Sequence, residues 1–289
     1  MDETPELPVP RAFTAQSGPR LIHGTSVGQG PKTVVLLTGL GAPARWWHEL
    51  GGDESDVNGL LQNPPWQDRP FLAPSLAPFA RVISYDRAGI GESSLPNNPR
   101  SLDDFLSELE ALLAAAEVAS PVVLAGHSLG GVIALAYARR FPARVAGLVL
   151  LDSSHPDQVA RFATVADAER LTVDAEDRRL MSEEHPERPD LDSLLVQGPL
   201  GVGELGELPV IVVSRESLAD RARPADVLME DWRSTQVRDS VWQQLQAELA
   251  TLSTRARHLP LSGSGHYVHF DRPQETIGAI LTLLKQLTG

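Results

Sequence analysis

The chain has 289 residues, 42% of them hydrophobic, which suffices for one large domain with a modest insertion and makes a tandem of two domains unexpected. Its formal charge of −13 at pH 7 argues against nucleic acid or an anionic membrane surface as a partner, since both would repel it, and favours a neutral or cationic small molecule. The absence of cysteine excludes disulfides, thiolate nucleophiles and cysteine metal sites.

Residues 1–19 are predicted to be a flexible lead-in, because prolines at positions 5, 8, 10 and 19 and few apolar side chains cannot bury a face. The start of the chain is acidic and lacks the basic and apolar segments of a secretory signal, so we expect a cytoplasmic location. No run of 18 or more predominantly apolar residues occurs, and a membrane span is therefore not expected.

Short apolar runs later in the chain are predicted to be β-strands. They are Thr33 to Leu37, Arg81 to Tyr85, Val122 to Ala125, Val145 to Leu151, Val210 to Val213 and Ala256 to Leu261. Helical patterns lie between them, notably at Leu102 to Val118 and from Pro273 to about Leu287. This alternation predicts an α/β fold with a mostly parallel, doubly wound sheet, and catalytic groups then belong at the carboxyl ends of its strands.

Two segments interrupt the alternation of strands and helices. Residues 45–78 are rich in tryptophan, proline, glycine and aspartate, and residues 153–208 are rich in charge with weak helical periodicity. Both are interpreted as insertions over the active edge of the sheet, and residues 153–208 as a helical cap or lid. The core is then expected to comprise residues 20–152 and 209–289.

The pentapeptide Gly126-His127-Ser128-Leu129-Gly130 ends a predicted strand and opens a helical run. This pattern is typical of a nucleophile elbow, a turn so tight that the residues two before and two after the serine must be small. Ser128 is the candidate nucleophile, and the Leu129 amide is a candidate donor to an oxyanion. A G-x-S-x-G string also occurs by chance in roughly one chain of this size in ten, so the interpretation depends on the flanking strand and helix.

The first of these strands ends in a small-residue loop, Thr38 to Pro43. Leu40 is the candidate for the second oxyanion donor because the glycines beside it allow the turn, and the alternative is an ordinary strand-to-helix turn. Trp46 and Trp47 follow the loop and are candidates for the wall of an acyl pocket. Tryptophan is at least as often buried as a structural anchor, so that alternative stays open.

A serine hydroxyl needs a neighbouring base and an acid that orients this base. Among eight histidines, His266 is the candidate base because it follows the last predicted strand in a Ser/Gly loop, and its rival His269 is expected to pack or cap. Asp152 directly ends a strand and gives the chain order Ser, Asp, His. The alternative acids follow the next strand and are Glu216, Asp220 and Asp226.

These motifs together resemble the α/β-hydrolase fold superfamily from about Arg20 to Leu287. The segment Tyr85 to Ser93 is similar to the one that follows the strand before the elbow in that family. Gly265-His266 with Asp271-Arg272-Pro273 is similar to the histidine loop and the start of the last helix. Leu150 to Gln158 resembles a bacterial group of serine hydrolases in which the sixth strand would supply the acid.

The resemblance implies acyl transfer to water, because a serine at position 128 disfavours the dehalogenases and epoxide hydrolases, which use a carboxylate nucleophile. We hypothesise a serine hydrolase that cleaves a small, largely uncharged ester or lactone. The alternatives are a ligand sensor that keeps the same residues but turns over slowly, and an amidase or peptidase. No metal-ligand spacing or phosphate-binding glycine loop is recognisable, so neither a metal nor a cofactor is expected.

Overall fold

An eight-stranded sheet forms the centre of the protein in the computed structural model, which describes residues 9–49, 69–119, 121–220 and 229–287. The strands are β1 Arg11–Ser17, β2 Arg20–Val27, β3 Thr33–Leu37, β4 Arg81–Asp86, β5 Val122–His127, β6 Val145–Leu151, β7 Val210–Arg215 and β8 Ala256–Leu261. Their spatial order is β1-β2-β4-β3-β5-β6-β7-β8. β2 pairs antiparallel with β1 and β4, and the remaining pairs are parallel. The predicted α/β fold with a mostly parallel sheet is confirmed.

Helices cover both faces of the sheet. They are α1 Leu72–Leu76, α2 Leu102–Ala115, α3 Leu129–Arg140, α4 Gln158–Ala163, α5 Ala168–Glu184, α6 Leu191–Leu195, α7 Met229–Leu249, α8 Val268–Asp271 and α9 Pro273–Gln286. Val35 and Leu37 of β3 pack with α2 and α3, whereas Val34 and Leu36 pack with α1 and α9. Successive side chains of a strand point to opposite faces, so a continuous apolar run is what a sheet covered on both sides requires. None of the described helices is long and apolar enough to cross a membrane.

Local signals in the sequence explain where two of the predicted helices begin. The Ser101 hydroxyl accepts a hydrogen bond from the Asp104 N–H, and the Asp104 side chain accepts from the Ser101 N–H, which forms a capping box before α2. Pro273 is the first residue of α9, where its missing N–H costs nothing. Both helices therefore start where the sequence predicts them.

The prediction of a flexible lead-in over residues 1–19 is wrong for its second half. Arg11–Ser17 forms β1 and pairs with β2 over its whole length. Ala15 is buried and Phe13 packs against the core, so alternate side chains of this segment do bury a face. The prolines near this segment suggested a flexible chain and hid the alternation of buried and exposed side chains along β1. Residues 1–8 lie outside the described residues.

Between β6 and β7 the chain forms α4, α5 and α6, in the segment where a helical cap is predicted. None of the side chains of α5 is buried. In the other predicted insertion, Trp47 and α1 pack on the core of the sheet. Residues 50–68 lie outside the described residues.

A buried ion pair connects the segment after α5 to the carboxyl end of β4. Arg87 Nε and Nη2 donate to the carboxylate of Glu187 at 2.6 and 2.9 Å, and the Gly41 N–H donates to the same carboxylate at 2.6 Å. Arg87 also donates to the carbonyl oxygens of Thr38 and Gly39, at 2.7 and 2.6 Å. Burial alone would raise the pKa of Glu187, but the guanidinium group and these hydrogen bonds hold that pKa below its usual value.

We expect Glu187→Gln to lower the free energy of unfolding by about 3–5 kcal/mol, because the variant leaves a buried guanidinium without its counter-charge. Urea denaturation measures the change. The control is Asp192→Asn, which breaks the solvent-exposed ion pair with Arg178 and should cost less than about 1 kcal/mol. Equal destabilisation by the two variants would contradict the role given to Glu187.

The lowered pKa of Glu187 also predicts a pH dependence of stability. A carboxyl group with a folded-state pKa below its unfolded value of 4.5 stabilises the protein above pH 4.5. This contribution is lost as the pH falls through the folded-state pKa. The difference in unfolding free energy between wild type and Glu187→Gln should therefore be constant from pH 6 to pH 7 and shrink on acidification below about pH 4.5.

Candidate active site

Ser128 lies in the turn between β5 and α3, at the carboxyl edge of the sheet. Its backbone has φ 51° and ψ −119°, a conformation that is strained for any residue except glycine. A Cβ atom on Gly126 would lie 2.3 Å from the carbonyl oxygen of Gly130, and one on Gly130 would lie 2.3 Å from that of Leu37. The turn therefore requires glycine at both positions, which is the physical reason for the sequence pattern.

His266 lies in the loop between β8 and α8 and faces the acid predicted for it. Its Nδ1 is 2.7 Å from Oδ2 of Asp152, which follows β6 and is fully buried. Oδ1 of Asp152 accepts hydrogen bonds from Trp242 Nε1 at 2.9 Å and from the Arg215 N–H at 3.0 Å. With Nδ1–H directed at the carboxylate, Nε2 of the neutral imidazole is the nitrogen that can accept a proton.

Ser128 and His266 line one cavity of about 410 Å³. The rest of its lining consists of Ser154, Gln158, Arg215, Leu218 and Trp242. The structure thus places two of the predicted residues, Ser128 and His266, in the lining of one cavity. The third, Asp152, contacts the imidazole of His266 through Nδ1. Among the described residues, no group of three or more histidine and carboxylate side chains is placed to hold a metal ion.

The two candidate oxyanion donors lie on neighbouring segments. Leu129 is the first residue of α3, and Leu40 lies in the loop that follows β3. A Cβ atom on Gly39 would lie 3.3 Å from the Cβ of Ser128, so this loop closely approaches the elbow. Neither the Leu40 nor the Leu129 N–H donates a hydrogen bond within the described parts of the chain.

The rival residues do not line this cavity. His269 is buried beside Trp47, with ring centroids 4.6 Å apart, and burial together with the neighbouring His266 lowers its pKa to about 3. It is a neutral packing residue, as the sequence indicated. Glu216 is not part of the cavity lining. The side chain of Asp220 and all of Asp226 lie outside the described residues.

Trp46 and Trp47 do not line the described cavity, which corrects their prediction as pocket walls. Trp47 is 1% exposed and belongs to the core on the α1 and α9 face. Trp46 packs edge-on against Tyr267 and Phe270, with ring centroids 6.0 and 5.9 Å apart. Their indoles anchor the segment after β3 on the core, which is the structural alternative considered for them.

Trp242 and Arg215 contact the Asp152 carboxylate, and neither residue was predicted from the sequence to do so. Trp242 lies on α7, a helix that was not predicted. The signal was present, because the buried side chains of Val241, Leu245 and Leu249 recur every four residues. Arg215 is the last residue of β7, and nothing in its local sequence distinguishes it from other arginines at strand ends.

His127 precedes Ser128 and fixes the loop that carries His266. Its Nε2 donates to the carbonyl oxygen of His266 at 2.9 Å. Burial, and next the imidazoles of His266 and His269, hold the pKa of His127 well below its usual value. The residue is therefore neutral at pH 7, and it attaches the histidine loop to the elbow through an uncharged hydrogen bond.

Comparison with known proteins shows which family and which fold the chain shares. Residues 32–186 match the family model of the alpha/beta hydrolase fold. An uncharacterized protein of Bacillus subtilis is 26% identical over 246 residues, which cover 85% of this chain and 81% of that protein. A candidate carbamate hydrolase of Variovorax paradoxus is 32% identical over 173 residues, which cover 57% of this chain but only 53% of that protein.

A solved hydrolase structure from Pseudomonas aeruginosa superposes with a TM-score of 0.60 at 20% sequence identity, covering 95% of this chain and 98% of that one. At this identity the likeness concerns the fold alone. The family model, in contrast, covers more than half of the chain and includes β3 to α5, with the elbow between them. This chain therefore belongs to the α/β-hydrolase fold family of enzymes.

Proposed function

We propose that this chain is a serine hydrolase that cleaves a small carboxylic ester or lactone through an acyl-enzyme on Ser128. The observation that supports it is the cavity lined by both Ser128 and His266, with the imidazole oriented by the buried Asp152. The overall charge of −13 favours a substrate that is largely uncharged, because an anion is repelled at long range.

The first step of the proposed reaction forms a tetrahedral intermediate on Ser128. His266 Nε2 removes the hydroxyl proton as Ser128 Oγ attacks the carbonyl carbon, and the carbonyl electron pair moves onto oxygen. The N–H groups of Leu40 and Leu129 donate to this oxyanion. Asp152 stabilises the imidazolium through Nδ1.

The later steps form the acyl-enzyme and then release the acid. When the oxyanion collapses, the bond to the leaving oxygen breaks and His266 protonates that oxygen, which leaves the acyl group on Ser128. His266 then takes a proton from water as the water oxygen attacks the acyl carbon. Collapse of the second oxyanion expels the Ser128 oxygen, which recovers its proton from His266. Water is the only co-reactant.

We expect a fluorophosphonate probe to label the wild type and not Ser128→Ala, and ester turnover by the variant to fall by about 10⁵-fold or more. Mass spectrometry locates the label, and turnover is followed with 4-nitrophenyl esters. The matched control is Ser154→Ala, a serine in the lining of the same cavity that should keep both labelling and turnover. Unchanged turnover in a folded Ser128→Ala protein would refute the proposal.

The bond that is cleaved is determined with a substrate panel. Aryl esters, lactones, carbamates and amides are compared at equal concentration, with Ser128→Ala as the blank. Carbamates are included because of the similarity to a candidate carbamate hydrolase. Esters or lactones should give the highest kcat/KM, and a preference for amides would instead indicate an amidase.

Asp152→Asn should lower kcat by about 10³- to 10⁴-fold, because an amide cannot hold the imidazole in the same tautomer or stabilise the imidazolium. Steady-state kinetics on the best ester of the panel measures this loss. Glu216→Gln and Asp220→Asn are the controls, since they remove alternative acids. Near-normal activity of Asp152→Asn with loss in either control would reassign the acid.

A further inference from the structure

A second cavity, of about 480 Å³, adjoins the one that contains Ser128. Arg215, Leu218 and Trp242 line both, so the two spaces share a wall. Cavities of this size are in the range of small-ligand sites. The second cavity therefore enlarges the space beside Ser128 and His266. The residues that line it would contact the part of the substrate that is remote from the scissile bond.

Three guanidinium groups line this second cavity, which we call the arginine cavity. They belong to Arg170 on α5, Arg215 at the end of β7 and Arg238 on α7. The aromatic side chains of Phe162 and Trp242 form its apolar wall, with their rings stacked at a centroid distance of 6.5 Å. A concentration of positive charge is unexpected beside the active site of a chain with a net charge of −13.

The carboxylates near these arginines leave many of the guanidinium donors unused. Arg170 and Arg238 share one carboxylate, that of Asp174, at 2.6 and 3.1 Å. A guanidinium group has five N–H donors, and each of these two contacts Asp174 through a single terminal nitrogen. Their other guanidinium N–H groups form no hydrogen bond with the described residues.

Two further carboxylates lie close to Arg215. Asp239 itself lines the arginine cavity, but it is largely buried and already paired: Arg215 Nη1 lies 2.5 Å from its Oδ1, and its Oδ2 accepts from Ser217 Oγ and the Leu218 N–H. Asp152 lies 3.5 Å from Arg215 Nε, and its carboxylate otherwise accepts from the Trp242 indole, the Arg215 N–H and the His266 imidazole. Arg238 stacks over the Phe162 ring at 4.5 Å, which leaves the edge of its guanidinium plane for hydrogen bonds.

We propose that the arginine cavity binds a carboxylate of the substrate, so that the ester hydrolysed at Ser128 carries a carboxylate several bonds from the scissile carbonyl. A planar guanidinium edge matches a carboxylate through two parallel hydrogen bonds. This inference rests on the proposed function and refines it. The scissile part of the substrate is uncharged, and the remote end is anionic despite the charge of the whole chain.

The first test compares two esters of equal chain length, 4-nitrophenyl hexanoate and the 4-nitrophenyl half-ester of adipic acid, which ends in a carboxylate. Arg238→Gln should lower the ratio of kcat/KM for the half-ester over the hexanoate by about five- to tenfold, in line with the loss of a partly exposed charged hydrogen bond. The control, Arg178→Gln, removes an arginine of α5 that pairs with Asp192 and does not line the cavity. It should leave the ratio within twofold.

A carboxylate on the alcohol side of the ester is tested with a second pair, phenyl butanoate and 4-(butanoyloxy)benzoate. A drop in the corresponding ratio for either pair in Arg238→Gln supports the inference. An unchanged ratio in both pairs, or the same drop in Arg178→Gln, overturns it.

A binding measurement separates this inference from the proposed function. Calorimetric titration of adipate into Ser128→Ala should give a dissociation constant that weakens by about five- to tenfold when Arg238→Gln is added. If neither ester of a pair is hydrolysed but adipate binding depends on Arg238, the hydrolase proposal is wrong and the carboxylate site stands. Adipate binding that is unaffected by Arg238→Gln overturns the carboxylate site whatever the turnover.

Discussion

Complete burial of the Asp152 carboxylate is the constraint on which the candidate active site depends. A carboxylate without access to water must be surrounded by hydrogen-bond donors. Here they come from three segments: the Arg215 N–H of β7, the Trp242 indole of α7 and the His266 imidazole after β8. Satisfying this one group therefore places the histidine loop and a long helix at the sheet edge where Ser128 lies.

A buried ion pair fixes the loop that follows β3. Arg87 donates a hydrogen bond to the carbonyl oxygen of Gly39, and its partner Glu187 accepts one from the N–H of Gly41. Both neighbours of Leu40 are thus held by the same ion pair, while the N–H of Leu40 itself is left without a partner in the described chain. One ion pair therefore connects the segment after α5 to both neighbours of Leu40, the candidate oxyanion donor.

The net charge of the whole chain is negative, whereas arginines outnumber acidic residues in the lining of the arginine cavity, and the two charges act over different distances. Exposed charges farther apart than about 8–10 Å are largely screened at physiological ionic strength, so the −13 total acts on the approach of a ligand. Contacts inside a cavity are decided by the groups that line it, which here include Arg170, Arg215 and Arg238. Net charge is therefore a weak guide to what such a cavity binds.

The sequence by itself determined strands β3 to β8 and the candidate site residues, where the requirement is local. The turn at Ser128 admits only glycine two residues before and two residues after the serine, so its sequence pattern can be recognised directly. Asp152 can be recognised because it directly follows an apolar strand. The roles of Trp46, Trp242 and Arg215 were decided only by the tertiary structure. Trp242 lies 90 residues from Asp152 in the chain, and their hydrogen bond exists because α7 packs over the strand ends, a contact between distant segments that no local pattern encodes.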